Sequence, residues 1–454
     1  MIRPWQSSYK SMSPMYSEVT TAILGGGLSG ITLARILREQ GGKVVVLEAE
    51  ERIGGLCRSR SEAGFTFDTG GSHIIFSRDR EVLEFMLSVL GENRDERVRN
   101  TKIFYKGRFV KYPFENGLSD LPREDCYYCL SEFIRTLIAA EKGELPPVVT
   151  FADWITTTFG KGIAECYLLP YNSKIWNFPP DRMSPHWVEG RVPRPPVDDI
   201  IKSAVGIETE GYTHQSVFSY PVRGGIEALV QALAGPVNDC ITCGFEVKSL
   251  RKAGGGWEIG DGIRTVKADR VVCTMPLQNL FAALQGVPPE VQDAVDALRY
   301  NSVCSVYIGT RGDVPDISWL YIPDPGLGLM NRVSFPSNYS REVTPEGYGS
   351  ILTEITYNDG DPVSRMSDRE IVSHVVESLE KMDLVSAGDI VYTGLDRHRF
   401  AYVVYDLEYP DTIAMVRDYC RKIGIDLVGR FAQFEYLNMD ACIRSVMEYT
   451  GWPG

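Results

Sequence analysis

Three glycines and one glutamate near the start of the chain have the types and spacing needed to hold a dinucleotide. Gly25, Gly27 and Gly30 form a GxGxxG motif, and Glu48 follows 23 positions after the first glycine. Glycines let the backbone approach a pyrophosphate, and a helix that begins at such a turn offers its positive end to phosphate. A carboxylate at the end of the next strand can accept hydrogen bonds from both ribose hydroxyls. The alternative is a glycine turn without a ligand.

The segments around this motif are predicted to be a strand, a helix and a second strand. Residues 19–24 (VTTAIL) are β-branched and apolar, residues 31–42 (ITLARILREQGG) have apolar residues at helical spacing, and residues 43–50 (KVVVLEAE) follow. Nearly continuous apolar strands are typical of a parallel sheet that is buried on both faces. The sequence therefore predicts an α/β fold with a Rossmann-like domain.

A histidine follows a pair of glycines in the run 68–77 (DTGGSHIIFS). His73 is one of only five histidines in the chain. The glycines leave backbone without side chains, where a bulky ligand could approach. A histidine before an apolar triplet is otherwise a core residue, and the run by itself leaves both interpretations open.

Composition limits the classes of ligand. The chain has 454 residues, enough for roughly three domains, and a net charge of −13 with a pI near 5.1. Such a charge repels polyanions, which argues against general binding to nucleic acids or to anionic membranes. Any anionic ligand must therefore meet a local group of arginines.

Two CxxC pairs, Cys126 with Cys129 and Cys240 with Cys243, have the spacing of a four-thiolate zinc site. Neither has a glycine-rich knuckle, so reduced cysteines and no metal are expected. No apolar run reaches the roughly 18 residues of a membrane span, and the polar leader 1–17 lacks the apolar core of a signal peptide. We expect a flexible leader and a cytoplasmic location.

The remaining patterns predict three domains. Residues 245–277 indicate three strands returning to the first sheet, residues 117–190 are mostly helical, and strands precede the helix DREIVSHVVESLEKM in 300–394. The predicted division is a leader at 1–17, a discontinuous dinucleotide domain at 18–110, 221–300 and 395–454, a helical domain at 111–220, and a sheet domain at 301–394 that completes the active site.

The segment 52–58 (RIGGLCR) adds a second glycine pair just past Glu48. With 268–276 (ADRVVCTMP) and 429–431 (GRF), it resembles the FAD-binding signature of the flavoproteins that include amine oxidases, protoporphyrinogen oxidases and UDP-galactopyranose mutases. The resemblance implies FAD, rather than NAD, as the main cofactor. The implied cofactor-binding residues are Gly25, Gly27, Gly30, Glu48, Gly54, Gly55, Arg58, Gly71, Ser72, Val247, Arg430 and Asn438.

Ordered motifs along residues 19–450 resemble the UDP-galactopyranose mutases, especially the eukaryotic type. These motifs include YPFEN (112–116), YNSKIW (171–176), YPVRGG (220–225), WLYIP (319–323) and SNYS (337–340). The resemblance implies an isomerase that interconverts UDP-galactopyranose and UDP-galactofuranose by attack of the reduced FAD N5 on the anomeric carbon. NADPH or NADH is the implied reductant, and association of identical copies is left open.

The same resemblance implies roles for individual residues, and the need of a nucleotide sugar for aromatic faces and paired cations agrees with them. The implied catalytic residues are His73, Arg191 and Arg332. The implied substrate-binding residues are Tyr112, Phe114, Asn172 and Trp176 for the uracil, Tyr321, Tyr339, Tyr402 and Tyr436 for the phosphates, and Phe76 in the pocket wall. Arg99 matches a position near the flavin.

Three positions depart from the mutase pattern. Ser72 replaces a glycine beside the histidine, Glu115 replaces an amide, and Tyr402 competes with Tyr405 for one role. A net redox enzyme of the amine oxidase or protoporphyrinogen oxidase type, a mutase acting on another nucleotide sugar, and a non-catalytic nucleotide-sugar or flavin-binding protein are the alternatives. The Arg191, Arg332 and tyrosine set favours a mutase, because an apolar substrate does not require it.

Overall fold

The computed structural model describes residues 20–188, 195–209 and 217–452. The strands in chain order are β1 (Thr20–Leu24), β2 (Lys43–Leu47), β3 (Ser59–Glu62), β4 (Phe65–Asp68), β5 (Asp95–Val98), β6 (Thr101–Tyr105), β7 (Arg108–Lys111), β8 (Val217–Tyr220), β9 (Ile241–Thr242), β10 (Ser249–Ala253), β11 (Gly256–Gly260), β12 (Thr265–Ala268), β13 (Arg270–Cys273), β14 (Tyr300–Arg311), β15 (Trp319–Tyr321), β16 (Arg332–Ser334), β17 (Tyr348–Tyr357), β18 (Ile390–Val403) and β19 (Ile425–Leu427).

The α-helices of these residues are α1 (Leu28–Glu39), α2 (Arg80–Leu90), α3 (Arg123–Lys142), α4 (Phe151–Ile163), α5 (Leu169–Trp176), α6 (Val197–Ala204), α7 (Glu227–Ala234), α8 (Leu277–Ala283), α9 (Pro289–Ala297), α10 (Pro362–Arg365), α11 (Asp368–Lys381), α12 (Tyr409–Ile423) and α13 (Met439–Thr450). None of them is long and apolar enough to cross a membrane.

A five-stranded parallel sheet with helices on both faces forms the first layer of the fold. Its strand order is β19-β13-β1-β2-β9. In β1, Ile23 packs with α1, α7 and α13 on one face, whereas Ala22 and Leu24 pack with α8, α9 and α12 on the other. The apolar side chains of β1 thus pack into two hydrophobic cores, one on each face of the sheet. The predicted Rossmann-like sheet is confirmed.

The strands predicted in 245–277 exist, but their pairing differs from the expectation. β10, β11 and β12 form a separate antiparallel sheet, and only β13 returns to the parallel sheet, where it pairs with β1. The prediction that all of them return was wrong, because the glycine-rich turn at Gly254 and Gly255 and the turn before β12 close a local meander.

A seven-stranded sheet forms the second layer, in the order β18-β14-β17-β16-β15-β6-β7. All neighbours are antiparallel except β15 and β6. Strands from the chain segment before residue 111 therefore join strands from 300–403, and β18 crosses the boundary proposed at 394. The division into three domains stays a prediction.

The helical segment packs through very close backbone contacts between α3 and α4. A Cβ built on Gly162 would lie 2.6 Å from the Cα of Cys129, and one on Gly160 would lie 2.8 Å from the Cα of Phe133. Cys129, from the first CxxC pair, is fully buried at this contact. The described residues include no group of three or more His, Cys, Asp or Glu side chains placed to hold a metal ion, and all ten cysteines are free.

We predict that Gly30→Ala lowers both stability and FAD content. A Cβ at Gly30 would lie 2.0 Å from the Gly25 carbonyl oxygen, which is backbone and cannot move aside alone. Overpacking of this kind costs about 1–3 kcal/mol, and it displaces the turn that must hold the cofactor. Denaturant unfolding and the FAD-to-protein absorbance ratio measure the two effects.

Gly235→Ala is the matched control for this substitution. Gly235 is at the end of α7 with helical backbone angles, and no atom lies within 4 Å of the position that its Cβ would occupy. Its replacement should change the unfolding free energy by less than about 0.5 kcal/mol. Equal losses in the two variants would contradict the packing argument.

Candidate functional site

One cavity of about 650 Å³ runs between the two large sheets. Its wall includes the turn between β1 and α1, residues 54–58 and 70–76, parts of β15, β16 and β18, and residues 430–442. The cavity therefore joins the predicted dinucleotide motif to segments that are distant in sequence. Most of the residues that were predicted to bind the cofactor lie along it.

Two glycines, Gly27 and Gly55, lie against each other in the wall of this cavity and form a cradle. A Cβ on Gly27 would find only the Cα of Gly55, at 4.0 Å, and Gly54 donates its N–H to the Gly26 carbonyl at 2.9 Å. The N-terminus of α1 has no side-chain cap at Gly27, so its first N–H groups can serve an anionic ligand. Any larger residue at the cradle would fill the space that a pyrophosphate needs.

Glu48 and Arg58 mark one end of the cavity. Glu48 is buried, and its carboxylate accepts hydrogen bonds from the Gly26 N–H at 2.6 Å and the Glu50 N–H at 3.0 Å. Arg58 lies 3.6 Å from the same carboxylate and donates through Nε to the Ile53 carbonyl. The carboxylate is thus fixed in orientation, as recognition of a ribose requires. Val247 lines this end too.

His73 lies in a loop farther along the cavity, residues 70–73, which we call the histidine loop. Its Nδ1 is 2.8 Å from the Gly71 carbonyl, and because a carbonyl only accepts, Nδ1 carries the proton. Burial, together with the charges of Arg332 and Arg430, lowers the pKa of His73 to about 4. The imidazole is therefore neutral at pH 7, and its Nε2 is an acceptor.

An ion pair with a buried carboxylate lies beneath the histidine loop. Arg332 on β16 donates from Nε and Nη2 to the two oxygens of Glu354 on β17, both at 2.8 Å. Glu354 is 1% exposed, and it also accepts the Ser72 N–H at 3.0 Å. Tyr402 donates its hydroxyl to the same carboxylate at 3.4 Å. This carboxylate therefore orients Arg332 and the loop together.

Glu354 was not predicted from the sequence. It is the one acidic residue in the apolar strand GSILTEITY, and a charged side chain within a buried strand signals a partner. That signal could have identified it. Tyr171 and Trp319 also line the cavity and were missed as separate site residues.

Three of the four predicted phosphate-binding tyrosines line the cavity, namely Tyr321, Tyr402 and Tyr436. Tyr402 and Tyr436 stack with ring centres 5.8 Å apart, and the guanidinium of Arg430 lies 4.5 Å from the Tyr436 ring centre. Tyr405 is buried behind them, where its hydroxyl accepts the Tyr436 N–H. The structure therefore places Tyr402, and not Tyr405, at the cavity.

Tyr339 does not line the cavity. It is 1% exposed, and its hydroxyl donates to the Ser318 carbonyl at 3.0 Å and lies 2.9 Å from Ser72 Oγ. Burial raises the pKa of Tyr339 to about 12. In this structure the neighbours of the hydroxyl are protein atoms, and the predicted contact of Tyr339 with phosphate stays a prediction.

Aromatic rings and an arginine line the far end of the cavity, which we call the aromatic chamber (Arg99, Tyr112, Tyr171, Trp319 and Tyr321). The guanidinium of Arg99 lies between two rings, 4.8 Å from the centre of Tyr112 and 4.7 Å from that of Trp319. The Tyr321 ring packs against both Tyr112 and Tyr171. Such stacking holds the cation and the phenols in place before any ligand arrives.

Three predicted uracil contacts lie behind this wall instead of in it. Phe114 is fully buried and stacks on Tyr167, with ring centres 4.9 Å apart. Asn172 accepts the Trp176 Nε1–H at 3.1 Å, and Trp176 packs edge-on against Tyr436. Phe114 thus supports the chamber through Tyr167, which stacks on Tyr171, whereas Trp176 supports Tyr436. Six of the other predicted residues line the cavity, namely Phe76, Gly54, Gly55, Ser72, Arg430 and Asn438. Gly71 lies next to it in the histidine loop. Arg191 and the leader 1–17 lie outside the described residues.

We predict that Glu354→Gln destabilises the protein by about 1–3 kcal/mol. The substitution keeps the shape but leaves the Arg332 charge without a carboxylate, and breaking a buried pair is costly, although the arginine is partly exposed. Glu62→Gln, which breaks an exposed pair with Arg60, should cost less than about 0.5 kcal/mol. Denaturant unfolding of both variants gives the comparison, and similar losses would exclude the proposed central role of Glu354.

Known proteins share both the sequence pattern and the fold. The model of the family described as flavin containing amine oxidoreductase matches residues 28–407. Chloroplastic protoporphyrinogen oxidase 1 of Arabidopsis thaliana is 21% identical over 421 residues, covering 81% of this chain and 75% of that protein. The inactive all-trans-retinol 13,14-reductase of Danio rerio is 33% identical over 89 residues, but this match spans 20% of this chain and only 15% of that relative's length.

A crystal structure of reduced UDP-galactopyranose mutase superposes with a TM-score of 0.85. The two chains are 25% identical, and the match covers 95% of this chain and 96% of the mutase. The glycine cradle, the fixed Glu48 carboxylate and the uncapped α1 terminus fit FAD, which is the cofactor of this fold. The chain belongs to the flavin-containing amine oxidoreductase family.

Proposed function

We propose that the protein is a UDP-galactopyranose mutase, which interconverts UDP-galactopyranose and UDP-galactofuranose. The observation that supports this proposal most is the aromatic chamber, which lies in the same cavity as the glycine cradle and Glu48. Glu48 would hold the ribose of the adenosine half of FAD, and the histidine loop and the chamber lie farther along the same cavity. Phenols and a guanidinium there suit an anionic, hydroxylated ligand better than an apolar one. The structural similarity over the whole chain points the same way.

FAD in its reduced state supplies the nucleophilic nitrogen that this isomerisation needs. The residues of the chain have to hold the sugar diphosphate in place, keep water out and balance charge. Neutral phenols can donate to a phosphate and release it again, which a wholly cationic clamp does poorly. Tyr321, Tyr402 and Tyr436 are the phenols that the cavity provides for this purpose.

The charge of Arg332 is already matched by Glu354. A diphosphate would therefore depend on additional guanidinium groups, and Arg99 and Arg430 both lie in the cavity wall. Arg191, which the mutase resemblance places at the site, would add a further positive charge. In this proposal Arg332 acts as a fixed donor near the reacting groups instead of a free cation.

His73 would serve as a neutral acceptor in the proposed reaction. Its Nδ1 proton is engaged by Gly71, and its lowered pKa keeps the ring uncharged at neutral pH. A proton taken up at Nε2 would be released readily, because burial disfavours the imidazolium. The proposal further includes a small-molecule nucleotide sugar as partner, NADPH or NADH as reductant, and a cytoplasmic location.

A second candidate is a net redox enzyme of the protoporphyrinogen oxidase type. The family match and the relative from Arabidopsis favour it. Such an enzyme would reduce oxidised flavin with substrate at each turnover. A mutase would need prior reduction and would show no lasting transfer of electrons.

We predict that the protein reduced with dithionite converts UDP-galactopyranose to UDP-galactofuranose, and that the oxidised protein does not. Chromatography of the nucleotide sugars measures the product, and the absorbance of bound FAD is followed in parallel. Turnover of another nucleotide sugar alone would keep the reaction type and discard the substrate. Bleaching of oxidised FAD by a porphyrinogen or an amine, without isomerisation, would overturn the mutase proposal.

We predict that Arg332→Lys lowers kcat/KM for this conversion by roughly 10- to 100-fold while FAD remains bound. Lysine keeps a positive charge beside Glu354 but loses the two-pronged donor geometry of the guanidinium. Arg60→Lys, at an exposed pair, is the matched control and should leave kcat/KM unchanged. Unchanged kinetics in Arg332→Lys would exclude the assigned role.

A further inference from the structure

The N–H, the carbonyl and the hydroxyl of Ser72 each have a hydrogen-bond partner in the seven-stranded sheet or in the turn between β16 and β17. Its N–H donates to Glu354 at 3.0 Å, and its carbonyl accepts from Arg332 Nη2 at 3.4 Å. Its Oγ lies 2.9 Å from the hydroxyl of Tyr339. Ser72 is thus attached at three points, to β16, to β17 and to the turn between these two strands.

The direction of the hydrogen bond between Ser72 and Tyr339 follows from the bond that Tyr339 makes with Ser318. Tyr339 must donate its proton to the Ser318 carbonyl, because a carbonyl oxygen only accepts. The hydroxyl of Tyr339 therefore accepts from Ser72. The Tyr339 ring is fixed by edge contacts with Phe218 and Tyr220, each with ring centres 5.3 Å apart.

We propose that Ser72 is a positioning residue, whose bonds to Tyr339, Glu354 and Arg332 form a latch that holds the histidine loop, and with it the His73 imidazole, in one place whether FAD is oxidised or reduced. This role requires bound FAD but does not depend on mutase activity. Tyr339 then belongs to the latch and not to the binding site of a ligand phosphate.

The loop needs such an attachment because its glycines allow other conformations. Gly71 has a φ of +96° and lies so close to Glu354 that a Cβ would meet the carboxylate at 2.9 Å. The Gly71 carbonyl in turn fixes Nδ1 of His73. Two of the three latch bonds involve ionised groups, and such hydrogen bonds are stronger than those between neutral groups. Reduction of FAD can therefore move the loop only if the flavin favours another loop position by more free energy than the latch bonds contribute together.

The environment of His73 gives a sensitive measure of the latch. Three cationic or imidazole groups from other segments act on the ring, namely Arg332, Arg430 and His398, and the Asp68 carboxylate accepts the His73 backbone N–H. Burial makes the largest contribution to the lowered pKa. Release of the latch should let water reach the ring, and the pKa of His73 should rise from about 4 toward its ordinary value.

The first experiment follows the five histidines of ¹⁵N-histidine-labelled holoenzyme by NMR between about pH 4 and 8, with His73 assigned through His73→Gln. In Ser72→Ala and in Tyr339→Phe, the acid constant of His73 should weaken about tenfold, a rise of about one pKa unit. The double variant should change no further, because both substitutions remove the same bond. Ser72→Thr, which keeps the hydroxyl, should behave as the original protein.

Ser61→Ala is the matched control, because Ser61 and Thr66 form a comparable hydroxyl pair at 2.9 Å on the hairpin of β3 and β4. It should leave the His73 titration unchanged. FAD content and Tm of each variant separate loss of the latch from loss of the fold. An unchanged His73 titration in both Ser72→Ala and Tyr339→Phe would overturn the proposal.

The second experiment compares the two oxidation states of the original protein, with Ser72→Ala as a further arm. Amide hydrogen exchange of the peptide covering 68–77 should agree within about twofold between oxidised and dithionite-reduced holoenzyme, and it should be about tenfold faster in Ser72→Ala, as loss of one hydrogen bond implies. A large change on reduction of the original protein would show that the loop moves with the flavin, and it would refute a fixed latch even if the variants failed to fold.

Discussion

The buried carboxylate of Glu354 is the interaction on which the rest of the site depends. It belongs to the second sheet, yet it binds Arg332 beside it, receives the N–H of Ser72 from the first half of the chain, and accepts the hydroxyl of Tyr402. An unpaired charge at 1% exposure would be strongly unfavourable. The partners compensate this charge together, and the histidine loop is thereby attached to the seven-stranded sheet.

Close backbone approaches impose the second constraint. Gly30 lies against the carbonyl of Gly25, and Gly27 faces Gly55 across the cradle. These contacts leave a slot whose walls are backbone, with helix N–H groups at one side. At these glycines no side chain occupies the space beside the helix N-terminus, which suits the pyrophosphate of a dinucleotide. Because Gly71 has no side chain either, the histidine loop can lie directly against Glu354.

The aromatic chamber differs from the cradle in how it is built. Its cation and phenols are held by stacking, as in the placement of Arg99 between Tyr112 and Trp319, and a second layer of rings lies behind them. An acidic chain thereby presents local positive charge within the cavity. The arrangement is prepared before a ligand binds, which lowers the cost of ordering side chains at that step.

Local patterns in the sequence determined the parts of this protein that depend on neighbours along the chain. The GxGxxG turn, Glu48, the parallel strands and the glycine pair at 54 and 55 all follow from short motifs whose geometry is fixed within one βαβ unit. The helix in 368–381 begins at a capping box between Ser367 and Glu370, which is equally local.

Only the tertiary structure decided which side chains face the cavity. Tyr402 and Tyr405 are three residues apart, and the pairing of β18 with β14 sends one to the cavity and the other behind it. Phe114 and Tyr339 belong to matching motifs, but packing between elements buries both. Glu354 and Ser72 are 282 residues apart, so no spacing rule could join them. The sequence alone thus determined the cofactor turn, whereas the site depends on contacts between distant strands that only the folded chain brings together.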